Sequence, residues 1–494
     1  MKKSIKMNAL LNGIRQSLSV IFPLITFPYV SRVLGSAEYG RYTFSASIVN
    51  YLSLLAAFGI SNYAVREGAR IRDNKDKLDC FASDLFTINL FTSTVAYGLL
   101  FILIKYSVKL QDYKLLIAAQ SLGILLTAIG MDWVNTIYED FLYITIRSIV
   151  IQFFALMSVF LFVKGPNDTL AYCLILVCGS YGGNLINLIY IRKYIHIKLN
   201  RKIQVKSYWM PLLLLFINSL ATVIYVNSDI TMIGIFYGDY EVGIYSFAAK
   251  IYNIIKYFIN AVMMVVVPRL AYMRENDDEK YREYVQNIIN ILIIFLLPIA
   301  LGVFMLSKSL ILIAGGEEYM PGNLSLKVLS FSLIFALLGS VCTNCILILN
   351  RLEKRCLIST FISASINVVM NLVLIPTVGI VGAGITTVIA EMVNMFIQGH
   401  YARKDVGISL KVKARNLLGI VSGSCFVMIV CFSANKIWVS DDVRIVCVRV
   451  AFAFMVSVIG YGAVLAVTKN EVCYIKRRNN YGKKRDHHSF HESR

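Results

Sequence analysis

The chain has 494 residues, 57% of them hydrophobic and only 16% charged, with 49 Lys and Arg against 29 Asp and Glu for a net charge of +20. Soluble domains carry about 25% charged residues, so these figures exclude a disordered chain and an ordinary soluble multidomain enzyme, and leave a polytopic membrane protein. A large positive charge in so apolar a chain has to crowd into loops on one side of the bilayer.

A membrane-spanning helix needs about 20 apolar residues. Fourteen runs qualify: 8–31, 42–64, 81–104, 115–137, 143–163, 170–191, 210–236, 242–267, 287–307, 328–349, 356–375, 380–401, 416–435 and 445–467. The first follows Lys2, Lys3 and Lys6. It is too long for a signal-peptide core and no small-residue cleavage site follows, so it is read as a membrane helix. An even number of spans puts both termini on one side. With the N-terminus inside, 34 of the 49 Lys and Arg fall in inner segments and 10 in outer loops. The inner 138–142 loop is the exception, carrying Glu139 and Asp140. A missed helix would exchange the sides downstream and erase this bias. The expected fold is therefore an all-α polytopic membrane protein with 14 transmembrane helices and both termini cytoplasmic. No hydrophilic segment is large enough to be a domain. The basic tail, 468–494, reads as an anchor beside anionic lipid.

The chain repeats itself. LGSAEYGRYTFSASI at 34–48 and YGDYEVGIYSFAAKI at 237–251 are identical at seven of fifteen positions: Gly35/Gly238, Glu38/Glu241, Gly40/Gly243, Tyr42/Tyr245, Phe44/Phe247, Ala46/Ala249 and Ile48/Ile251. The two copies lie at the outer turns between spans 1 and 2 and between spans 7 and 8. The repeat unit is six spans, so its copies share one orientation and are related by an axis along the membrane normal. This gives an N-lobe at 1–205 (spans 1–6), a C-lobe at 206–405 (spans 7–12), spans 13–14 at 406–467 and the tail. Two lobes around a cleft are the architecture of alternating access.

Ionisable groups inside a bilayer are costly and mark pathways. Arg15 lies seven residues into span 1, about 10 Å deep. Lys250 lies eight residues into span 8, and Lys256 is near its middle. Basic groups here suit an anionic, phosphate-bearing substrate; pairing with an internal acid is the other reading of each. Lys250 and Lys256 are six residues apart, about 240° around a helix, so they point in different directions. A second group is acidic and amide-rich. Asp229 sits in span 7, Asn367 and Asn371 are at i, i+4 in span 11, and Thr387 and Glu391 are at i, i+4 in span 12. Such oxygen ligands suit Na⁺ or a proton, with polar helix packing as the alternative. Asp84, Asp132, Arg147 and Arg449 lie near span ends, where side chains reach the interface or cap a helix. Pro23, Pro28 and Pro298 are expected to break the helical ladder of spans 1 and 9. Cys342 and Cys345 form a CxxC inside an apolar run without further ligands, so neither a cofactor nor a resident metal is expected.

Several stretches carry a family resemblance: FPYVSRVLGSAEYGRYTFSASI at 27–48, GMDWVNTIYEDFLYITIRSI at 130–149, SDITMIGIFYGDYEVGIYSFAAKIYN at 228–253, VPRLA at 267–271 and INVVMNLVLIPTVGIVGAGITTVIAE at 366–391. In order and spacing the chain resembles the bacterial polysaccharide-unit flippases, the O-antigen and capsule repeat-unit exporters of the multidrug/oligosaccharidyl-lipid/polysaccharide superfamily. The resemblance implies a non-enzymatic transporter of the bacterial cytoplasmic (inner) membrane. It would move an oligosaccharide on undecaprenyl diphosphate from the inner to the outer leaflet. The implied partners are that lipid-linked substrate, membrane lipids, a polysaccharide polymerase and a chain-length regulator, with no nucleic acid. In the related lipid II flippases a basic residue follows the alanines of a YxxA-type stretch in span 8, and Lys250 matches it in YSFAAK. Relatives also use basic residues in spans 1 and 2, for which Arg15 and Arg41 are the nearest candidates. Some bind Na⁺ through an Asp in span 7, a pair in span 11 and a Thr in span 12, matched here by Asp229, Asn367, Asn371 and Thr387. Asn371 stands where an acid is found in some of them, which leaves Na⁺ and H⁺ coupling both open. Two rivals are a multidrug/toxin-type cation antiporter, which favours cavity acids over the basic span 8, and a membrane glycosyltransferase or polymerase, which needs a large extramembrane loop.

Overall fold

The computed structural model describes residues 5–199, 205–410 and 414–468, which form helices and connecting turns with no β-strand among them. The basic tail beyond 468 and its expected anchoring role lie outside the described residues. The α-helices are α1 (Ile5–Ala57), α2 (Ile60–Ile71), α3 (Lys75–Tyr106), α4 (Val108–Gln111), α5 (Lys114–Gly130), α6 (Asp132–Ile137), α7 (Phe141–Phe162), α8 (Thr169–Tyr181), α9 (Gly183–Tyr190), α10 (Val205–Phe236), α11 (Asp239–Asn276), α12 (Asp278–Ala314), α13 (Asn323–Val341), α14 (Glu353–Val378), α15 (Ile380–Tyr401), α16 (Ala414–Ile437) and α17 (Val443–Val467).

Local chemistry explains the boundaries. Gly35 takes φ +76° inside α1 and divides it into two helices, a conformation that only glycine adopts cheaply. Side-chain caps start α3, α12 and α17 among others: Asn74 accepts from Lys77 N at 3.0 Å, Asp277 from Lys280 N at 3.1 Å and Asp442 from Arg444 N at 2.8 Å. Pro23, Pro28 and Pro298 each leave a ladder bond unmade, yet α1 and α12 continue through them. Losing one ladder bond costs less in an apolar medium than ending the helix, which would orphan several backbone groups.

Among the described residues eleven helices are long and apolar enough to cross a bilayer, or twelve if the bent pair 239–261 and 265–276 is one span. Against the fourteen expected spans, the helices differ at two places. Spans 1 and 2 run together across Gly35 in the segment 21–71, and span 4 is represented by the shorter helix Lys114–Gly130. That helix stops because Met131 adopts a left-handed conformation, φ +47°.

The polarity is that of a membrane protein. Phe101, Phe153, Phe154, Leu161, Phe432 and Phe454 are exposed, while Asp229, Asn367, Asn371 and Glu391 are buried. Polar contacts join the segments between helices: Arg72 reaches Glu139 at 3.2 Å, Lys193 reaches Asp140 at 3.3 Å, Arg274 donates to Asn350 at 2.7 Å, Arg355 reaches Asp405 at 3.2 Å, Thr169 donates to Glu38 at 2.7 Å and Tyr113 to Asp239 at 2.5 Å. The acids of the 138–142 loop thus pair with Arg72 and Lys193.

Contact density divides the chain into two compact units, Met1–Phe247 with Ala364–Ala383, and Ala248–Ser363 with Gly384–Arg494. In the first, Ala64, Leu78, Leu85, Val134 and Ile191 form one buried cluster, and Val30, Leu34, Val159 and Val163 another. In the second, α16 and α17 pack on α12 through Ile294, Ile420, Cys431 and Ala453. Polar contacts reinforce that docking: Tyr461 donates to the Ile294 carbonyl at 2.6 Å and Asn435 to that of Met305 at 3.0 Å.

Candidate substrate and cation sites

The repeated turns meet each other in the first unit. A methyl group on Gly40 would run into the Asp239 carbonyl, and one on Gly243 into the Ser36 carbonyl and toward the Gly40 amide. Equivalent glycines of the two copies are thus the points where the two backbones touch. Arg41 belongs to the charged rim of this contact. It donates to Glu38 at 2.9 Å and to the Asp112 carbonyl at 3.2 Å, and lies 3.9 Å from Asp239.

Three of the five residues expected to bind a cation come together in the same unit. Asn371 donates to Asp229 at 2.7 Å and to Asn367 at 3.2 Å, linking α14 to α10. The second carboxylate oxygen of Asp229 accepts from Tyr245 at 2.5 Å, and Ser228 donates to Asn367 at 2.7 Å. Asp229 is 7% exposed and Asn371 fully buried. A buried carboxylate that accepts from the neutral donors Asn371 and Tyr245 suits uptake and release of a single positive charge. Tyr245 and Ser228 are additions to the sequence reading. The signal for Tyr245 was present, since it is the repeat partner of Tyr42; Ser228 carried none. A further polar seam adjoins the cluster, with Asn50 donating to Asn227 at 3.0 Å and Thr231 to Ser47 at 3.0 Å.

The other two residues are in the second unit. Thr387 is half-buried on α15, one turn before Glu391. Glu391 accepts from Lys256 at 2.7 Å, with the Lys256 ammonium 5.6 Å from the centre of the Tyr252 ring. Lys256 is therefore charge-compensated by the acid that the sequence reading had grouped with Asn371 and Thr387. Lys250, on the same helix α11, is half-buried and has no ion pair or hydrogen bond among the described residues. Arg15 lies in α1 at a position whose side chain falls outside the described part of the structure.

Arg147 makes a two-pronged contact with Asp132 at 2.7 and 2.9 Å, and Arg449 donates to Ser309 at 2.8 Å and to the Trp438 carbonyl past the end of α16 at 2.9 Å. Both are buried. A guanidinium keeps its charge, so a protein partner replaces the water it loses.

Membrane-length apolar helices, a repeated turn and polar clusters buried among the helices define a multi-pass membrane protein. Residues 5–274 match the family described as "Polysaccharide biosynthesis protein", more than half of the chain, and the chain belongs to that family. Among its relatives, the probable low-salt glycan biosynthesis flippase Agl15 of Haloferax volcanii is 26% identical over 198 residues, which are 40% of this chain and 41% of that protein. A putative O-antigen transporter of Shigella dysenteriae is 22% identical over 328 residues, 65% of this chain and 79% of that one. Among solved structures, the lipid II flippase MurJ in an inward closed conformation shares the fold, with a TM-score of 0.74 at 16% identity over 92% of this chain and 99% of that chain.

Proposed function

We propose that this protein is a flippase carrying lipid-linked oligosaccharide repeat units, on a prenyl diphosphate such as undecaprenyl diphosphate, from the inner to the outer leaflet of a bacterial cytoplasmic membrane. The family and the relatives named as an O-antigen transporter and a glycan flippase support the substrate class. The observation that carries the assignment is Lys250, a half-buried cation deep in an apolar helix and without a partner among the described residues. A diphosphate supplies the missing negative charge through charge-assisted hydrogen bonds. Arg15 is a second contributor, and Arg41 acts at the outer turn. A multidrug-type cation antiporter has no use for an uncompensated lysine at this depth.

In this reading the chain crosses the membrane fourteen times with both termini cytoplasmic. Two six-span lobes, 1–205 and 206–405, rock about the substrate, and spans 13–14 lie along the prenyl tail. A polymerase and a chain-length regulator take over the product outside. Asp229 couples transport to a cation gradient, with Asn367, Asn371 and Thr387 as oxygen ligands if the ion is Na⁺. Protonation of Asp229 is the other way to neutralise the same carboxylate.

Deleting the gene is expected to accumulate lipid-linked repeat units on the inner leaflet. Lys250→Ala in that strain should lower export about 10- to 100-fold, the size of one hydrogen bond to a charged group. Restoration of wild-type export by Lys250→Ala would remove the lysine from the substrate site. In proteoliposomes, Asp229→Asn should leave any residual transport insensitive to an imposed Na⁺ or H⁺ gradient. A gradient dependence equal to wild type would end the coupling role.

A further inference from the structure

The first unit contains a cavity of about 130 Å³ bounded by the second half of α1, by α5 and by α8. Its polar lining is Asn50, Ser53, Gln120 and Ser180, with the rings of Tyr42 and Tyr181. No acidic or basic side chain lines it. The cavity is about the size of an engineered protein cavity of roughly 150 Å³ that takes up one benzene ring. It therefore has room for one six-membered ring.

The lining selects among ligands. An anion or a cation would find no countercharge. A neutral polyol would find what it needs, amides and hydroxyls that both donate and accept, beside flat aromatic faces. Gln120 stiffens the wall: it is 8% exposed, and its amide nitrogen donates to the Tyr42 carbonyl at 3.2 Å and Ser45 Oγ at 3.1 Å. Asn50 and Ser180 are the polar groups of the lining that stay exposed, and a sugar hydroxyl can pair with both.

Depth supplies a second constraint. Asn50, Ser53 and Ser180 lie eight to eleven residues inside spans 2 and 6, about 12–16 Å from the span end at 1.5 Å per residue. Asn50 and Ser180 are nonetheless exposed. Polar groups are not left facing hydrocarbon at such depth, so the mouth of the cavity opens onto hydrated space. Gly123 makes room for the wall, because a methyl there would meet the Tyr181 ring at 2.8 Å.

We propose that this cavity is a sugar subsite that holds one uncharged pyranose ring of the lipid-linked substrate. The proposal rests on the flippase reading above and adds to it a place where glycan, rather than diphosphate, is recognised. It is tested with the full chain in nanodiscs and two ligands: the repeat-unit lipid extracted from the deletion strain, and bare undecaprenyl diphosphate. Wild type is expected to prefer the repeat-unit lipid by at least about tenfold. Ser180→Phe, which fills the cavity from an exposed position, should bring that preference to about one. Asn50→Leu, which keeps the approximate shape and removes an exposed amide from the wall, should reduce it about three- to tenfold, the value of one or two neutral hydrogen bonds. Wild-type preference in both variants overturns the subsite and leaves the flippase reading standing. Binding of neither lipid by wild type overturns that reading and the subsite with it.

Discussion

Alanine at Gly243 is expected to cost the protein most of its folded yield. The added methyl points at the Ser36 carbonyl and toward the Gly40 amide, which are main-chain atoms and cannot turn aside as a side chain can. Overpacking a core costs about 1–3 kcal/mol when side chains adjust, and a backbone obstacle places this change at or above the top of that range. Gly40→Ala should be as damaging, since its methyl meets the Asp239 carbonyl across the same contact. The double variant should be less than additive, because both changes wedge one interface. Gly98→Ala is the matched control. Nothing lies within 4 Å of its added methyl, and alanine is the better helix former by up to about 1 kcal/mol. Thermal unfolding in detergent, followed by monodispersity on a sizing column, measures all four. Wild-type stability in Gly243→Ala would mean that the two repeated turns do not touch in the membrane.

Lys256→Met is expected to destabilise by about 3–5 kcal/mol, because it leaves Glu391 buried and unpaired. Glu391 is 6% exposed at its side chain and Lys256 24%, so water screens the pair only slightly. Removing both charges, as in Lys256→Met with Glu391→Met, should recover most of the loss, since buried ion pairs contribute little net stability over apolar packing of similar volume. The pair also separates two roles for Lys256. A lysine engaged by Glu391 is a structural cation, and the double variant should keep export near wild type once folded. Loss of export in a well-folded double variant would return Lys256 to the substrate site. Thermal unfolding and complementation of the deletion strain decide between these outcomes.

Much of the architecture was legible in composition and spacing. Apolar runs of membrane length correspond to the helices, because a helix in hydrocarbon must satisfy its own backbone and show an apolar exterior. The repeat located the turns at Gly40 and Gly243 by identity alone. The i, i+4 spacing of Asn367 and Asn371 placed both on one helix face, and they do meet there.

Sequence spacing stops at the edge of one helix. It orders residues around a single axis and carries no information about which helix lies alongside. Asp229 and Asn371 are 142 positions apart, and Lys256 and Glu391 are 135 apart. Only tertiary packing decided that Glu391 neutralises Lys256, that Asp229 is held by Tyr245 and Asn371, and that Lys250 is left with its charge uncompensated among the described residues. The physical reason is the cost of a bare charge or dipole in a low-dielectric interior, which is settled between helices and not along them. The sequence by itself determined an all-helical membrane bundle with a repeated turn and a few ionisable groups in its helices; packing determined which of those groups were already spoken for.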